Sequence, residues 1–379
     1  MNCQEIQLLE VIKDIAAGPF GSNLKVSFFV NEGFPIVDGA NLKRFKVTDN
    51  ITKFVTEEKA RSLHRSIAKR GDVIVTISGT LGQIAYIPDD SKYEEYLCSQ
   101  RQFRVTFDTT KVYVPYLVFY FHTYEGQHKI LSFANQVGVP ALSQPLKNFR
   151  QITVQLPDIE TQKKIANIVE LLNGKIEENE NINNNLEQQA QAIFDNIFHN
   201  TSSGDKFIGD FITPKRGKNL LSKNAIFGDV PVVAGGLEPS TYHNVSNTQA
   251  PVLAISASGA NAGYVSLWNT PIWSSDSSYI DSSMTNNVYF WYVLLKKRQT
   301  EIFDTQTGSA QPHIYPRHIA TMPITNISND DISTFTNMVT PIFERIGHNK
   351  AENIRLSALQ DTLLPKLMSG ELDVSDLDL

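Results

Sequence analysis

The chain of 379 residues is 41% hydrophobic and 20% charged, a balance that excludes a disordered or fibrous protein and allows two or three domains. Two cysteines, Cys3 and Cys98, build neither a disulfide framework nor a thiolate metal site, and the most apolar run, Tyr113–Phe121, is too short for a membrane span and contains Pro115. The net charge of −6 is unevenly spread: residues 1–157 carry +3, 158–200 carry −5, 201–325 carry +1 and 326–379 carry −5. Two mildly basic segments therefore alternate with two short acidic ones, and with no apolar leader after Met1 a cytoplasmic location is expected.

Residues 1–157 read as a β-rich first lobe. It opens on a Gly/Lys-rich turn, GPFGSNLK (Gly18–Lys25), and continues through GFPIVDG (Gly33–Gly39) and IVTISGTLGQIAYI (Ile74–Ile87), a strand pattern broken at Ser78–Gly79. An apolar helix, VPYLVFYF, follows, then QVGVPALSQPLKNF (Gln136–Phe149). Pro157 and the capping candidate Asp158 introduce a long amphipathic helix in residues 158–200. Its seam reads Ile165, Val169, Leu172, Ile176, Asn179, Asn183, Leu186, Ala190, Ile193, Ile197, with the alternating 4-and-3 spacing of a coiled coil.

Residues 201–325 read as a second lobe with the same order of features. PKRGKNL (Pro214–Leu220) is its opening turn, and GDVPVVAG (Gly228–Gly235) and VLAISASGANAGYV (Val252–Val265) its β-rich runs, with Ser258–Gly259 at the break. The apolar helix is VYFWYVLL, and QTGSAQPHIYPRHI (Gln306–Ile319) stands where Gln136–Phe149 stood. Residues 326–379 then predict a second long helix, entered at Ser328 and Asn329, with Asp330 and Asp331 in its first turn. Pro341 predicts a kink or a fresh start at Thr340, and Pro365 and Gly370 predict the far end. Its seam reads Phe335, Val339, Ile342, Ile346, Asn349, Asn353, Leu356, Gln360, Leu363, Leu367.

A shift of 170 positions lays Asn179 and Asn183 on Asn349 and Asn353, and Lys147 on Arg317. The chain is therefore an α+β duplication: two β-rich mixed α/β lobes joined by two long helices packed as an antiparallel coiled coil. Each helix of roughly 30–40 residues spans about 45–60 Å and needs a partner to be stable. The four asparagines are expected to meet inside the pair, where a buried amide fixes register at some cost in stability. Two similar lobes held at a set separation suit the reading of two unlike marks on double-stranded DNA. Candidate DNA contacts are Ser22, Lys25, Ser78, Thr80, Arg101, Arg104 and Lys147 in the first lobe, and Lys215, Arg216, Lys218, Asn219, Ser258, Asn261 and Arg317 in the second. Arg101 and Arg104 fall on opposite faces of an alternating strand, so at most one is expected to face DNA. Ser78–Gly79 and Ser258–Gly259 are also readable as plain tight turns, and Lys147 and Arg317 as helix-end ion pairs. His313 and His318 lack the carboxylates or cysteines of a catalytic or metal constellation.

Gln136-x-Gly138, followed by LSQPLKNFRQITVQLPDIETQKKIANIVELLNGKIE, resembles the junction between a target recognition domain and the central conserved region of type I restriction-modification specificity subunits. LPDIETQKKIA is the most specific piece. GPFGSNLK resembles the opening of the first recognition domain in that family, and LQDTLLPKLMSGELDV (Leu359–Val374) its C-terminal end. The second copy departs from the pattern, because ISNDDISTFTNM lacks the Pro-x-x-Glu-x-Gln entry.

The resemblance implies a non-catalytic subunit with recognition domains at 1–157 and 201–325 and conserved helices at 158–200 and 326–379. It implies a bipartite DNA site, two methyltransferase subunits that carry S-adenosylmethionine, and restriction/translocase subunits that use ATP and Mg and join through them. No membrane, metal or cofactor is implied for this chain. No Walker A loop, GxGxxG or Asn/Asp-Pro-Pro-Tyr/Phe motif occurs in it. Two rival readings follow from the residues alone: an assembly protein whose Ser/Thr/Asn-rich second lobe binds protein or glycan, and a methyltransferase, which the missing motifs disfavour.

Overall fold

Asp158 caps the first long helix, Ile159–Ile197, by accepting the Thr161 N–H at 3.0 Å, and Ser328 caps the second, Asn329–Ser369, through the Asp331 N–H at 3.1 Å. The computed structural model describes residues 3–135, 139–308 and 311–374; Gln136 and Gly138 of the junction motif lie outside them. The chain divides into two compact units: residues up to Gly174 together with those from Leu356, and Lys175–Arg355. Each unit holds one lobe and a portion of both helices.

In the first unit, six strands run in the order Ile12–Ala17, Gln102–Phe107, Val73–Thr76, Ile84–Tyr86, Lys46–Val47, Leu42–Lys43. A second, five-stranded sheet is built around Phe34–Val37 and Glu95–Cys98. The helix Val114–Phe121 is buried on nearly every side, which is why its sequence is apolar throughout rather than striped. It joins a core with Ile165, Ala166 and Val169 of the first long helix and Leu364, Leu367 and Met368 of the second. Gln162 ties lobe to helix: its Oε1 accepts the Tyr113 N–H at 2.8 Å and its Nε2 donates to the Pro157 carbonyl at 2.9 Å.

In the second unit, the strands Lys215–Arg216, Ser277–Asp281, Val252–Ser256 and Val265–Trp268 form one sheet, and Thr241–His243, Val230–Val233 and Trp273–Ser274 another. The helix Val288–Lys297 packs against them as its counterpart does. Phe194 and Phe198 of the first long helix meet Phe335 of the second and Phe290 of the lobe helix, with ring centroids 4.9–6.1 Å apart. Edge-on and tilted packing of this kind adds to the apolar burial of the rings.

The two long helices pair antiparallel. Asn179 Nδ2 donates to Asn353 Oδ1 at 2.8 Å, and Asn349 Nδ2 donates to Asn183 Oδ1 at 2.8 Å. As the number rises on one helix it falls on the other. Asn179 is fully buried and Asn349 is 2% exposed, so each Nδ2 finds its acceptor across the seam rather than in water. Asn179 Nδ2 also donates to Glu352 Oε2 at 2.8 Å. In the first unit the seam carries another buried amide, Gln360, whose Nε2 donates to the Val169 carbonyl at 3.4 Å.

The prolines behave differently from expectation. The second helix runs unbroken through Pro341, and Pro365 lies inside it; Ser369 ends it, followed by Gly370 at φ +76°. A proline frees the carbonyl four residues before it. Those carbonyls belong to Asn337 and Asp361, both exposed residues, where water can satisfy them.

Candidate nucleic-acid interface

The Ser-Gly turns of both lobes are fixed by one set of backbone hydrogen bonds. In the first lobe, Ile77 N–H donates to the Arg101 carbonyl, Gly79 N–H to the Pro140 carbonyl, and Leu142 N–H to the Ile77 carbonyl, at 2.7, 3.1 and 2.8 Å. In the second, Ala257 N–H donates to the Asp276 carbonyl, Gly259 N–H to the Pro312 carbonyl, and Ile314 N–H to the Ala257 carbonyl, at 3.1, 3.1 and 2.9 Å. Gly79 and Gly259 have φ of +95° and +83°, a region that disfavours any other residue. These are docked turns, each clamped to the segment that precedes its lobe's short Pro-started helix, Pro145–Gln151 or Pro316–Ala320.

The opening turns are equivalent in the same way. Gly18 N–H donates to the Gln102 carbonyl and Gly217 N–H to the Ser277 carbonyl, both at 2.8 Å. The shared backbone carries different side chains: Arg101 in the first lobe stands where Asp276 stands in the second.

In the first lobe these turns enclose a cleft of 870 Å³, whose walls include Lys25, Ser78, Thr80 and Arg101. Sequence reasoning thus brings four of its seven first-lobe candidates to one place. Thr76, Gln83, Gln100 and Gln102 also line the cleft but build its frame: Thr76 and Gln102 are buried, Gln83 Nε2 donates to the Gly39 carbonyl at 3.1 Å and Gln100 Nε2 to the Gly21 carbonyl at 2.8 Å. Ser22 is exposed on the same opening turn, and Lys147 is exposed on the helix Pro145–Gln151.

Arg104, expected as a candidate DNA contact, instead turns inward and is buried. It is only 9% exposed. Its guanidinium donates to Asp14 Oδ2 at 2.6 Å, to the Arg65 carbonyl at 3.0 Å and to Thr106 Oγ1 at 3.3 Å. The Arg104 hydrogen bond holds the Asp14 carboxyl below the ordinary carboxylate range. Burial pushes nearby Asp72 up, despite its bond from Thr106. Burial also pushes the Cys98 thiol up to about 12, so it is an inert core residue.

In the second lobe, Lys215, Lys218 and Asn219 are exposed around Gly217. Arg216 pairs with Asp276 at 2.5 Å, and Ser258 Oγ donates to the same carboxylate. That carboxylate thus orders the opening turn and the Ser-Gly turn together. Asn261 is half-buried in the turn, with its carbonyl accepting the Tyr264 N–H at 2.9 Å. Arg317 is exposed and lies over the Tyr315 ring at 5.6 Å. His318 accepts the Tyr315 N–H, and burial lowers its pKa below the usual histidine value. A larger groove of 1530 Å³ in this unit is lined by Phe227, Tyr242, Trp268, Lys350 and Ile354 among others and includes none of the candidate residues. No cluster of His, Cys, Asp and Glu able to hold a metal ion occurs among the described residues, and no described helix is long and apolar enough to cross a membrane.

Residues 28–188, the larger part of the first lobe and most of the first long helix, match the family described as the type I restriction modification DNA specificity domain. The whole chain is similar to the type I restriction enzyme MjaIX specificity subunit of Methanocaldococcus jannaschii, at 22% identity over 97% of this chain and 93% of that protein. The fold is that of the crystal structure of a type I restriction-modification S subunit from M. genitalium, with a TM-score of 0.58 at 15% identity, covering 97% of this chain and 96% of that one. The HsdS subunit from Thermoanaerobacter tengcongensis aligns over 98% of this chain and 97% of its own, with a TM-score of 0.39 at 15% identity. The family match covers residues 28–188, and over its whole length the chain, with its duplicated lobes and paired helices, is similar to type I restriction-modification specificity subunits.

Proposed function

We propose that this chain reads a split DNA site for a type I restriction-modification assembly, one half-site per lobe, and contributes no chemistry of its own. Residues 1–157 and 201–325 are the two recognition domains, and 158–200 and 326–379 the helices that set the spacing and dock two methyltransferase subunits. Those subunits bring S-adenosylmethionine; restriction subunits that use ATP and Mg join through them. The observation that carries this reading is the pair of equivalent turn clamps: one backbone frame presents Arg101 in one lobe and an Arg216–Asp276 pair in the other. A common frame with different side chains suits two readers of different sequences. The cations supply phosphate contacts, and the exposed amide of Asn219 suits the paired donor and acceptor of adenine.

Long-read methylome sequencing of a host that expresses the chain with its cognate methyltransferase tests this. The expected result is adenine methylation in a split motif with a fixed, unread gap; a continuous motif, or no methylation that depends on this chain, overturns it.

Arg101 and Arg104, close neighbours in sequence, give a sharper contrast. Arg101→Ala is expected to fold normally, weaken DNA binding by the assembled complex, and make its dependence of log affinity on log salt shallower by about 0.9. Arg104→Ala is expected to lower lobe stability by about 1–3 kcal/mol, because it strips partners from buried polar groups. Thermal unfolding and a salt titration of binding separate the two effects.

A further inference from the structure

The opening turn of the first lobe holds a side chain that the cleft does not use. The Phe20 ring is 91% exposed, although burying such a ring is normally favourable. It does not sit on a loose loop. Gly18 approaches the sheet so closely that a Cβ there would lie 1.9 Å from the Ser99 oxygen. Gln100 Nε2 donates to the Gly21 carbonyl at 2.8 Å and also to the Leu24 carbonyl, and Asn23 N–H donates to the Phe20 carbonyl at 3.2 Å. Pro19 fixes the backbone just before the ring, and Gly21 follows at φ +54°.

The same turn contributes Gly21 and Lys25 to the cleft wall, beside Arg101. Ser22, Asn23 and Lys25, next to the ring in the chain, are exposed and polar. Val26 and Phe28 are the next exposed apolar side chains along the chain, and the polar Ser22, Asn23 and Lys25 stand between them and the ring in sequence, whereas a protein-docking patch is contiguous and apolar at its centre. The second lobe has no ring at this place; its own exposed ring, Phe227, lies in the larger groove, which includes none of the candidate residues. Counted from the equivalent glycines, Gly18 and Gly217, the place of Phe20 is taken by Asn219.

Resting on the DNA-reading function proposed above, we infer that Phe20 is an apolar wedge that enters between two stacked base pairs of the half-site read by the first lobe. Inserted apolar side chains unstack a base step and kink the duplex. The second lobe, with an amide at that place, binds its half-site without this distortion. The two half-sites are therefore read by different physics: one partly through the energy of opening a step, the other through surface contacts alone.

The test uses the full chain assembled with its cognate methyltransferase, on duplexes carrying 2-aminopurine at one position at a time across both half-sites. Each target adenine is flipped by its methyltransferase whatever residue stands at position 20, so the expected result is a severalfold rise in fluorescence at one further step, away from those adenines and in one half-site only. Phe20→Ala is expected to abolish the rise at that further step and weaken binding about tenfold, with thermal unfolding unchanged, and Phe20→Leu to keep part of it. Sequence-specific binding with no rise beyond the target adenines, or an equal rise at the further step with Phe20→Ala, overturns the wedge and leaves DNA reading intact. Loss of methyltransferase assembly in Phe20→Ala makes the ring a protein contact and overturns it too. Absence of any sequence-specific DNA binding by the unaltered complex overturns the DNA-reading function itself, and the wedge with it.

Discussion

Inserting one heptad into each long helix, at matched places either side of the asparagine seam, is expected to lengthen the unread gap by about three base pairs. Seven residues add about 10.5 Å at 1.5 Å each, against about 3.4 Å per base pair. A whole heptad is the proper insertion because it returns the apolar seam to its partner; an insertion of two residues would rotate Ile165 and Val169 away from their core. The insertions must come in both helices, because antiparallel pairing requires each added turn to find a partner. The measurement is the methylated motif of the variant complex. An unchanged gap would show that the helices do not set the spacing, whatever else they hold together.

The second large effect concerns the crossed amides. Asn183→Leu alone leaves the buried Nδ2 of Asn349 without its acceptor, and the expected loss is about 1–3 kcal/mol. Asn349→Leu acts likewise on Asn183. The double variant Asn183→Leu/Asn349→Leu replaces an amide pair with two apolar groups, which is expected to recover most of that loss or exceed the parent in stability. Urea unfolding of the parent, both single variants and the double variant gives the coupling as a double-mutant cycle. Stability is half of the expectation. A seam without its polar pair no longer penalises slippage, so the double variant is expected to methylate sites with more than one gap length. Equal losses that simply add, with a single gap retained, would mean the amides only fill space.

Much of this seam is legible in the chain because the same interruption occurs twice, and a duplicated polar residue in an apolar stripe marks a position rather than an accident. The width of the stripe is not legible. Phe194 and Phe198 fall off the two-helix seam, yet both are buried. Each lobe covers a further side of the helices, so the apolar arc is wider than a pure coiled coil needs. The lobe residue that does this, Phe290, is distant in sequence, and no periodicity within the long helix reports it. Arg104 escapes sequence reasoning for a similar reason. Alternation shows that it and Arg101 face apart, but not which one meets solvent; Asp14, 90 positions earlier, decides that. Pro341 and Pro365 look like breakers in the sequence, but their cost depends on whether the freed carbonyl meets water, and exposure is a tertiary property.

The glycine contacts of the opening turns divide the chain's mutational freedom. A Cβ at Gly18 would strike the Ser99 oxygen, and one at Gly217 would come within 2.4 Å of Ser274 Oγ. Those positions cannot vary without moving the sheet. Phe20 and Asn219, just beyond them in the chain, turn their side chains to solvent, so the fold tolerates almost any residue there. Under the DNA-reading function proposed above, selection can thus explore new recognition at these sites without first crossing a barrier of instability, and drift at them leaves thermal unfolding unchanged.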